Sequence, residues 1–392
     1  MKYLSKLLLF LFYLQVNAQQ KEVNPLVLPY TDFLENQNQS AKDYVLSLFD
    51  KYDYIILTER LHYEKTQYDF IVDLISDKRF INKVGTIFTE VGVSTQRDNV
   101  QALLQANNLS PEEVKKMALN IFRDIEWLDW DKSSYYDFLI KLYDINSKLE
   151  PDKKLKLEYA DVPFSWENFE NRKQYIDFQK TLNDRDSIMA SQIISTIKGN
   201  DFAKDKRHKA LIILNYRHGF TNIRLTLDGP KENNTGRYLK EYFQDNIASV
   251  LINTVYNRND DNFYLIQNGK WDAAFELTQK NNIGFNFVDS PFGKDAFDLY
   301  PIQNDLTYKD VFQGFIYTSS IDSFIFEKGV PNFITDDFKT EFQRRSLLQG
   351  YEVTDKMIED YNNKMEWRMS ETQWCPNYDE LKKLIENNKY VP

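Results

Sequence analysis

The sequence predicts an α/β fold: a mostly parallel β-sheet flanked by helices, with a helical appendage at its C-terminal end. Short β-branched or aromatic runs alternate with longer segments of helical spacing, and repeated strand, helix, strand implies parallel pairing with right-handed crossovers. After Thr318 the chain changes character and becomes helical and aromatic. With 42% hydrophobic residues and one cysteine, Cys375, the chain has material for a large core and none for an intramolecular disulfide.

The elements follow in order. Lys2 and Lys6 flank the apolar run Leu7 to Leu14, and Val16-Asn17-Ala18 is a small-residue cleavage pattern, so residues 1–18 read as a signal peptide. The run is too short to span a bilayer, and no cysteine stands at the cleavage point to carry a lipid. The expected location is periplasmic or secreted, without stable membrane insertion. Residues 19–325 are expected to form the α/β domain, with 326–392 as a helical extension packed on it. Losing the two signal lysines takes the formal charge from −10 to −12, which argues against nucleic acid or an anionic membrane as partner. Ser40 to Leu48 is a helix leading into a first strand, Tyr54 to Thr58, and the helix Lys65 to Ile75 leads to a second, Thr86 to Thr89. Ser110-Pro111-Glu112-Glu113 is an N-cap, a proline at the first helical position and a capping-box Glu, so a helix runs from there to Phe122. Tyr135 to Leu149 is the next helix, then a strand at Leu155 to Ala160, a helix at Arg185 to Lys198 stopped by Gly199, and a strand at Ala210 to Leu214. The helix Gly236 to Gln244 precedes strands at Ala248 to Val255, Phe263 to Gln267, Gly284 to Val288 and Phe312 to Thr318. The appendage holds helices at Phe338 to Leu348, Thr354 to Met369 and Tyr378 to Asn387.

In an open parallel sheet the crevice lies outside the carboxyl ends of the strands. Four consecutive strands each deliver an ionisable group there: Glu59 with His62, Glu90, Asp161, and Arg217 with His218. Two of the three histidines are in this set, while His208 stands before its strand at the opposite edge. A carboxylate that holds one imidazole nitrogen fixes the tautomer and leaves the other nitrogen basic. His62 is the expected base for activating water, oriented by Glu59 or Glu90, with His218 and Arg217 stabilising an oxyanion or assisting the leaving group. Glu59, His62, Glu90 and His218 could equally hold a divalent metal. No nucleophile elbow, dinucleotide fingerprint or phosphate-binding loop is present, and Cys375 lies in the helical tail.

At these residues the sequence resembles the erythromycin esterase family, within the broader superfamily that includes haem-binding uptake lipoproteins and Tiki-like proteases. The likeness rests on Thr58-Glu59-Arg60-Leu61-His62-Tyr63, on Glu90, on Arg185-Asp186-Ser187-Ile188-Met189-Ala190 and on Asn215-Tyr216-Arg217-His218, and covers residues 50 to 320. It implies that Glu59, His62, Glu90 and His218 line a site where His62 activates water for ester hydrolysis; Asp161, Arg185 and Arg217, at the same edge, are the expected substrate contacts. Thr58 and Tyr63 replace the two glycines of the family's opening motif, and Tyr216-Arg217 adds bulk and charge, which implies a divergent member with a different small-molecule substrate. A non-catalytic protein binding haem or a metal in the same crevice is the alternative.

Overall fold

A computed structural model describes residues 21–125, 133–182, 184–225, 232–257, 262–299, 305–326, 329–330, 332–365 and 375–391. The expected signal peptide lies outside them. Seven strands form the central sheet: β1 (Tyr54–Glu59), β2 (Gly85–Val93), β3 (Lys156–Asp161), β4 (Lys209–Asn215), β5 (Ile247–Ile252), β6 (Ile283–Asn286) and β7 (Gly314–Tyr317). Their order is β6-β7-β5-β1-β4-β2-β3, parallel throughout except for the edge pair β6 and β7. The expected mostly parallel α/β sheet is therefore what the chain builds.

Alternation along each strand divides the core into two layers. Ile55 and Leu57 of β1 join Ile87, Leu211 and Ile213 in a layer covered by α1 (Lys65–Ser76), the helix Pro111–Ile125 and α2 (Ser133–Asn146). Ile56, Ile212 and Leu214 face the other way, against α3 (Arg185–Lys198) and α4 (Thr235–Phe243). Each of these aliphatic side chains is essentially fully buried, so each contributes roughly 1.5–3 kcal/mol relative to exposure. The chain passes from β1 to β2 over one face and from β3 to β4, then to β5, over the other. The sequence order thus reverses at β1 and β4, the kind of switch point beyond whose carboxyl ends open α/β sheets bind their ligands.

Helix starts follow the local chemistry. The Ser110–Glu113 capping box forms, with Ser110 N–H donating to Glu113 Oε2 at 2.7 Å and Glu113 N–H to Ser110 Oγ at 3.3 Å. Glu64 caps α1 by accepting from the Thr66 and Gln67 amides at 2.8 and 3.0 Å, and Asp184 caps α3 through the Ser187 amide.

Two strand expectations need correction. The run Ala248 to Val255 is not one strand: β5 ends at Ile252, because Asn253 Oδ1 takes the Thr318 N–H at 3.0 Å and so replaces the next rung of the ladder with a side chain. Val255–Asn257 pairs antiparallel with Phe263–Leu265 in a separate small hairpin, so Phe263 to Gln267 is no part of the main sheet. Helices at Leu28–Glu35, Arg97–Gln105, Arg172–Gln179 and Lys270–Thr278 were not expected. The C-terminal segment is helical at Lys339–Gln349, Asp355–Met365 and Tyr378–Lys389, the first packing on Arg172–Gln179 and the last on Lys270–Thr278. The expected end of the middle helix, residues 366 to 369, lies outside the described residues. Among the described residues no helix is long and apolar enough to cross a membrane.

Candidate functional site

Glu59 is the last residue of β1, and both its oxygens are engaged. Tyr68 Oη of α1 donates to Oε2 at 2.5 Å, Tyr135 Oη of α2 donates to Oε1 at 2.9 Å, and His62 Nδ1 stands 2.5 Å from the same Oε1. An acceptor at Nδ1 places the proton of the neutral ring there and makes Nε2 the basic nitrogen. Burial alone would lower the His62 pKa, but the charge and hydrogen bond of Glu59, together with the charge of Glu90, raise it above the ordinary histidine value. Burial and the neighbouring Glu59 push both tyrosines well up, so their hydroxyls stay protonated as donors.

Glu90 reaches the crevice because β2 is irregular. Thr89 pairs with Tyr159 and Val93 with Asp161, so β2 carries two extra residues across that interval. Gly92 permits this: its φ is +129°, and a Cβ there would lie 2.1 Å from the Tyr159 ring. The ladder between β2 and β4 ends at Thr89 and Ile213, and the Asn215 N–H beyond it donates to Glu90 Oε2 at 2.8 Å. At the other oxygen, Oε1, three nitrogens converge: Arg185 Nη2 at 3.1 Å, His218 Nε2 at 3.3 Å and His62 Nε2 at 3.8 Å. Burial would raise the Glu90 pKa, but His218, His62, Arg185 and the Asn215 amide outweigh it and bring it to about 2, so this 2%-exposed side chain is an anion.

His218 is held in the same manner as His62. Asp186 Oδ1 lies 2.7 Å from its Nδ1 and also accepts from the Thr235 amide and hydroxyl, both at 2.7 Å. Burial opposes protonation of His218, yet Glu90 and Asp186 together raise its pKa. The approach of α4 that supplies Thr235 requires glycine, since a Cβ on Gly236 would sit 2.7 Å from the Gly219 carbonyl carbon. Arg185, in the first turn of α3, bridges Glu90 and Asp161, whose Oδ1 accepts from Arg185 Nε at 2.8 Å. Burial raises the Asp161 pKa, and its second oxygen has no hydrogen-bond partner.

The structure thus brings Glu59, His62, Glu90, Asp161, Arg185 and His218 together. Arg217 donates to the Asn257 carbonyl at 3.2 Å and to Tyr216 Oη at 3.4 Å, partners outside this cluster. His208 precedes β4 at the far edge, as its position implied. Glu59, His62 and Glu90 each offer one ligand atom, all within 4.8 Å of one another, a donor set that suits a divalent ion. The fit is partial, because Arg185 already places a cation 3.1 Å from Glu90 Oε1 and Nδ1 of His62 is taken by Glu59.

No known family model matches the chain, and no curated protein matches it. Solved structures resemble it at low identity. A protein from Bacillus cereus has a TM-score of 0.46 and 11% identity over 75% of this chain and 98% of its own. The erythromycin esterase EreC, as a histidine-to-asparagine mutant in an open conformation, has a TM-score of 0.45 and 10% identity over 76% and 97%. ChaN of Campylobacter jejuni, which binds haem cofacially, has a TM-score of 0.31 and 17% identity over 54% and 85%. Likenesses this distant assign no chemistry to the present chain.

Four contributors escaped the sequence reading. Tyr68 and Tyr135 look like core positions of amphipathic helices, and their rings do pack edge to face at 5.2 Å. Only their hydroxyls serve the site. Asp186 stands in the Arg185–Ala190 motif with no role assigned to it, and Thr235 precedes the expected helix start at Gly236. The one available signal for Asp186 was its place beside Arg185.

Proposed function

We propose that this protein is an exported hydrolase in which His62 activates water against an ester or related acyl bond of a small molecule. The observation that carries this reading is the paired arrangement of the two imidazoles. Each has Nδ1 committed to a carboxylate, and each turns Nε2 towards Glu90.

At 3.8 Å, His62 Nε2 and Glu90 Oε1 are too far apart for a direct hydrogen bond, a separation that a bridging water suits. Such a water gives one hydrogen to Nε2 and the other to Glu90, which leaves an oxygen lone pair for the carbonyl carbon. As the carbon–oxygen bond forms, the proton passes to His62 Nε2, and Glu59 stabilises the imidazolium across Nδ1. Arg185 is the fixed cation beside the developing oxyanion. His218, protonated and held by Asp186, donates its Nε2 proton to the leaving oxygen as the tetrahedral intermediate collapses. Asp161, fully buried, accepts from Arg185 Nε at 2.8 Å and so holds that cation in place.

A second reading, binding of a metal or haem without turnover, is favoured by the donor set of Glu59, His62 and Glu90. The two separate in one experiment on residues 19–392: hydrolysis of chromogenic esters with and without EDTA, beside His62→Ala. Turnover that EDTA spares and His62→Ala abolishes supports metal-independent hydrolysis. Turnover retained in His62→Ala rejects the mechanism, and a Soret band on haem addition that needs His62 or His218 supports the binding reading.

A further inference from the structure

We propose that Arg60 is a positioning residue that holds the turn between Glu59 and His62, and that the C-terminal helix Tyr378–Lys389 braces it from behind. The inference rests on the hydrolase reading for the use made of His62.

Arg60 stands between the two site residues in sequence, yet its side chain points away from the crevice and is only 1% exposed. Burying a guanidinium is costly unless every donor finds an acceptor. Here all five do. Nε donates to the Asn253 carbonyl at 2.5 Å, Nη1 to Glu64 Oε2 at 2.7 Å and Thr66 Oγ1 at 3.1 Å, and Nη2 to Asn253 Oδ1 at 2.8 Å and to Thr318 Oγ1. The Phe324 ring covers the guanidinium face at 4.0 Å. The Arg60 backbone is pinned as well, its N–H by Gln67 Oε1 at 2.6 Å and its carbonyl by Asn215 Nδ2 at 2.8 Å. The side chain therefore ties together the end of β1, the start of α1, the exit of β5 and the exit of β7.

The anchor continues outward. Glu64 Oε1 accepts from the Ile325 amide at 3.1 Å, and Lys65 N–H donates to the Ile325 carbonyl at 2.7 Å. Asp322, a few residues earlier, takes Tyr378 Oη at 2.5 Å and Lys382 Nζ at 2.8 Å from the C-terminal helix. Leu61 and Tyr63, on either side of His62, pack on the apolar cluster of Phe324, Phe326, Cys375, Leu381 and Ile385. A turn that must keep Nδ1 of His62 on Glu59 is thus fixed by elements more than 250 residues away in sequence.

The test uses purified residues 19–392 in EDTA and reads, at one fixed pH, the downfield imidazole Nδ1–H proton signals of His62 and His218 by NMR. With three histidines in the chain, His208→Gln completes the assignment. Arg60→Lys keeps the charge beside Glu64 but has three donors for five acceptors. The expected result in a folded Arg60→Lys protein is loss of the His62 signal with the His218 signal unchanged, and about a tenfold fall in kcat with KM unmoved on any ester the parent hydrolyses. A folded variant that retains the parent His62 signal and its exchange rate overturns the proposal, as does simultaneous loss of both histidine signals. If Arg60→Lys does not fold, Thr318→Val decides, since it removes a single acceptor: faster solvent exchange of the His62 proton alone supports the proposal, and an unchanged rate overturns it. A parent protein that hydrolyses no ester defeats the hydrolase reading and leaves the imidazole signal to decide the role of Arg60.

Discussion

Glu59→Gln is the substitution that weighs the proposed base most directly. The carboxylate accepts from Tyr68, Tyr135 and His62 Nδ1. A glutamine of the same shape keeps one accepting oxygen, and if that oxygen stays on His62 and Tyr135, its amide faces Tyr68, whose hydroxyl can rotate to accept. The tautomer of His62 survives; the charge opposite the imidazolium does not. With charge centres about 4 Å apart and an effective dielectric near 20, that charge is worth about 4 kcal/mol to the protonated ring. At about 1.36 kcal/mol per decade this becomes roughly a thousandfold fall in kcat. The sign of the pH effect also follows. Glu59 raises the His62 pKa, so its loss moves the acid limb of the kcat/KM profile to lower pH. Steady-state hydrolysis across a pH series, with circular dichroism to verify folding, measures both effects. A folded Glu59→Gln protein with undiminished kcat, or with its acid limb unmoved, refutes the pairing of Glu59 with a basic His62.

Other outcomes follow from the same geometry. Gly92→Ala combines a disfavoured φ with a clash against Tyr159, so it should destabilise the protein by about 3 kcal/mol in chemical denaturation; wild-type stability would contradict the need for glycine in the β2 irregularity. Glu90 falls from 4.5 to about 2, and a depressed acid contributes stability that is complete above its unfolded pKa and lost as pH falls towards its folded one. Urea midpoints should therefore decline between about pH 4.5 and 2, and Glu90→Gln should flatten that decline. The raised pKa of His218 acts in the opposite sense: its contribution is complete below the unfolded histidine pKa and lost as pH rises through the folded value, so His218→Gln should cost more stability in mild acid than in base. Arg217→Gln should leave kcat within about twofold, because its partners lie outside the cluster around Glu90; a drop of several hundredfold would return it to the reacting centre.

The sheet was readable because its strands are buried on both faces and appear as unbroken apolar runs, four of which carry an ionisable residue at or shortly beyond the end of the run. That grammar located Glu59, Glu90, Asp161 and His218 without further help. It failed where side chains replace backbone partners. Asn253 cuts β5 short by taking the Thr318 amide, and nothing in the run Ala248 to Val255 announces that. The partners of Arg217 were equally hidden, since adjacent residues of a tight turn need not share contacts. Tyr68 and Tyr135 were hidden by their rings, which satisfy the pattern of a core whether or not the hydroxyl has work to do.

The two histidines differ in how their carboxylates are supplied. His62 finds its partner three residues back in the same turn, whereas Asp186 lies 32 residues from His218, on a helix that must first dock. The first pair depends on the long-range anchors of the Arg60 turn, at Asn253 and Thr318; the second depends on α3 and α4 being seated against the sheet. Loosening either set of distant supports should therefore dismantle one histidine pair while most of the sheet still stands.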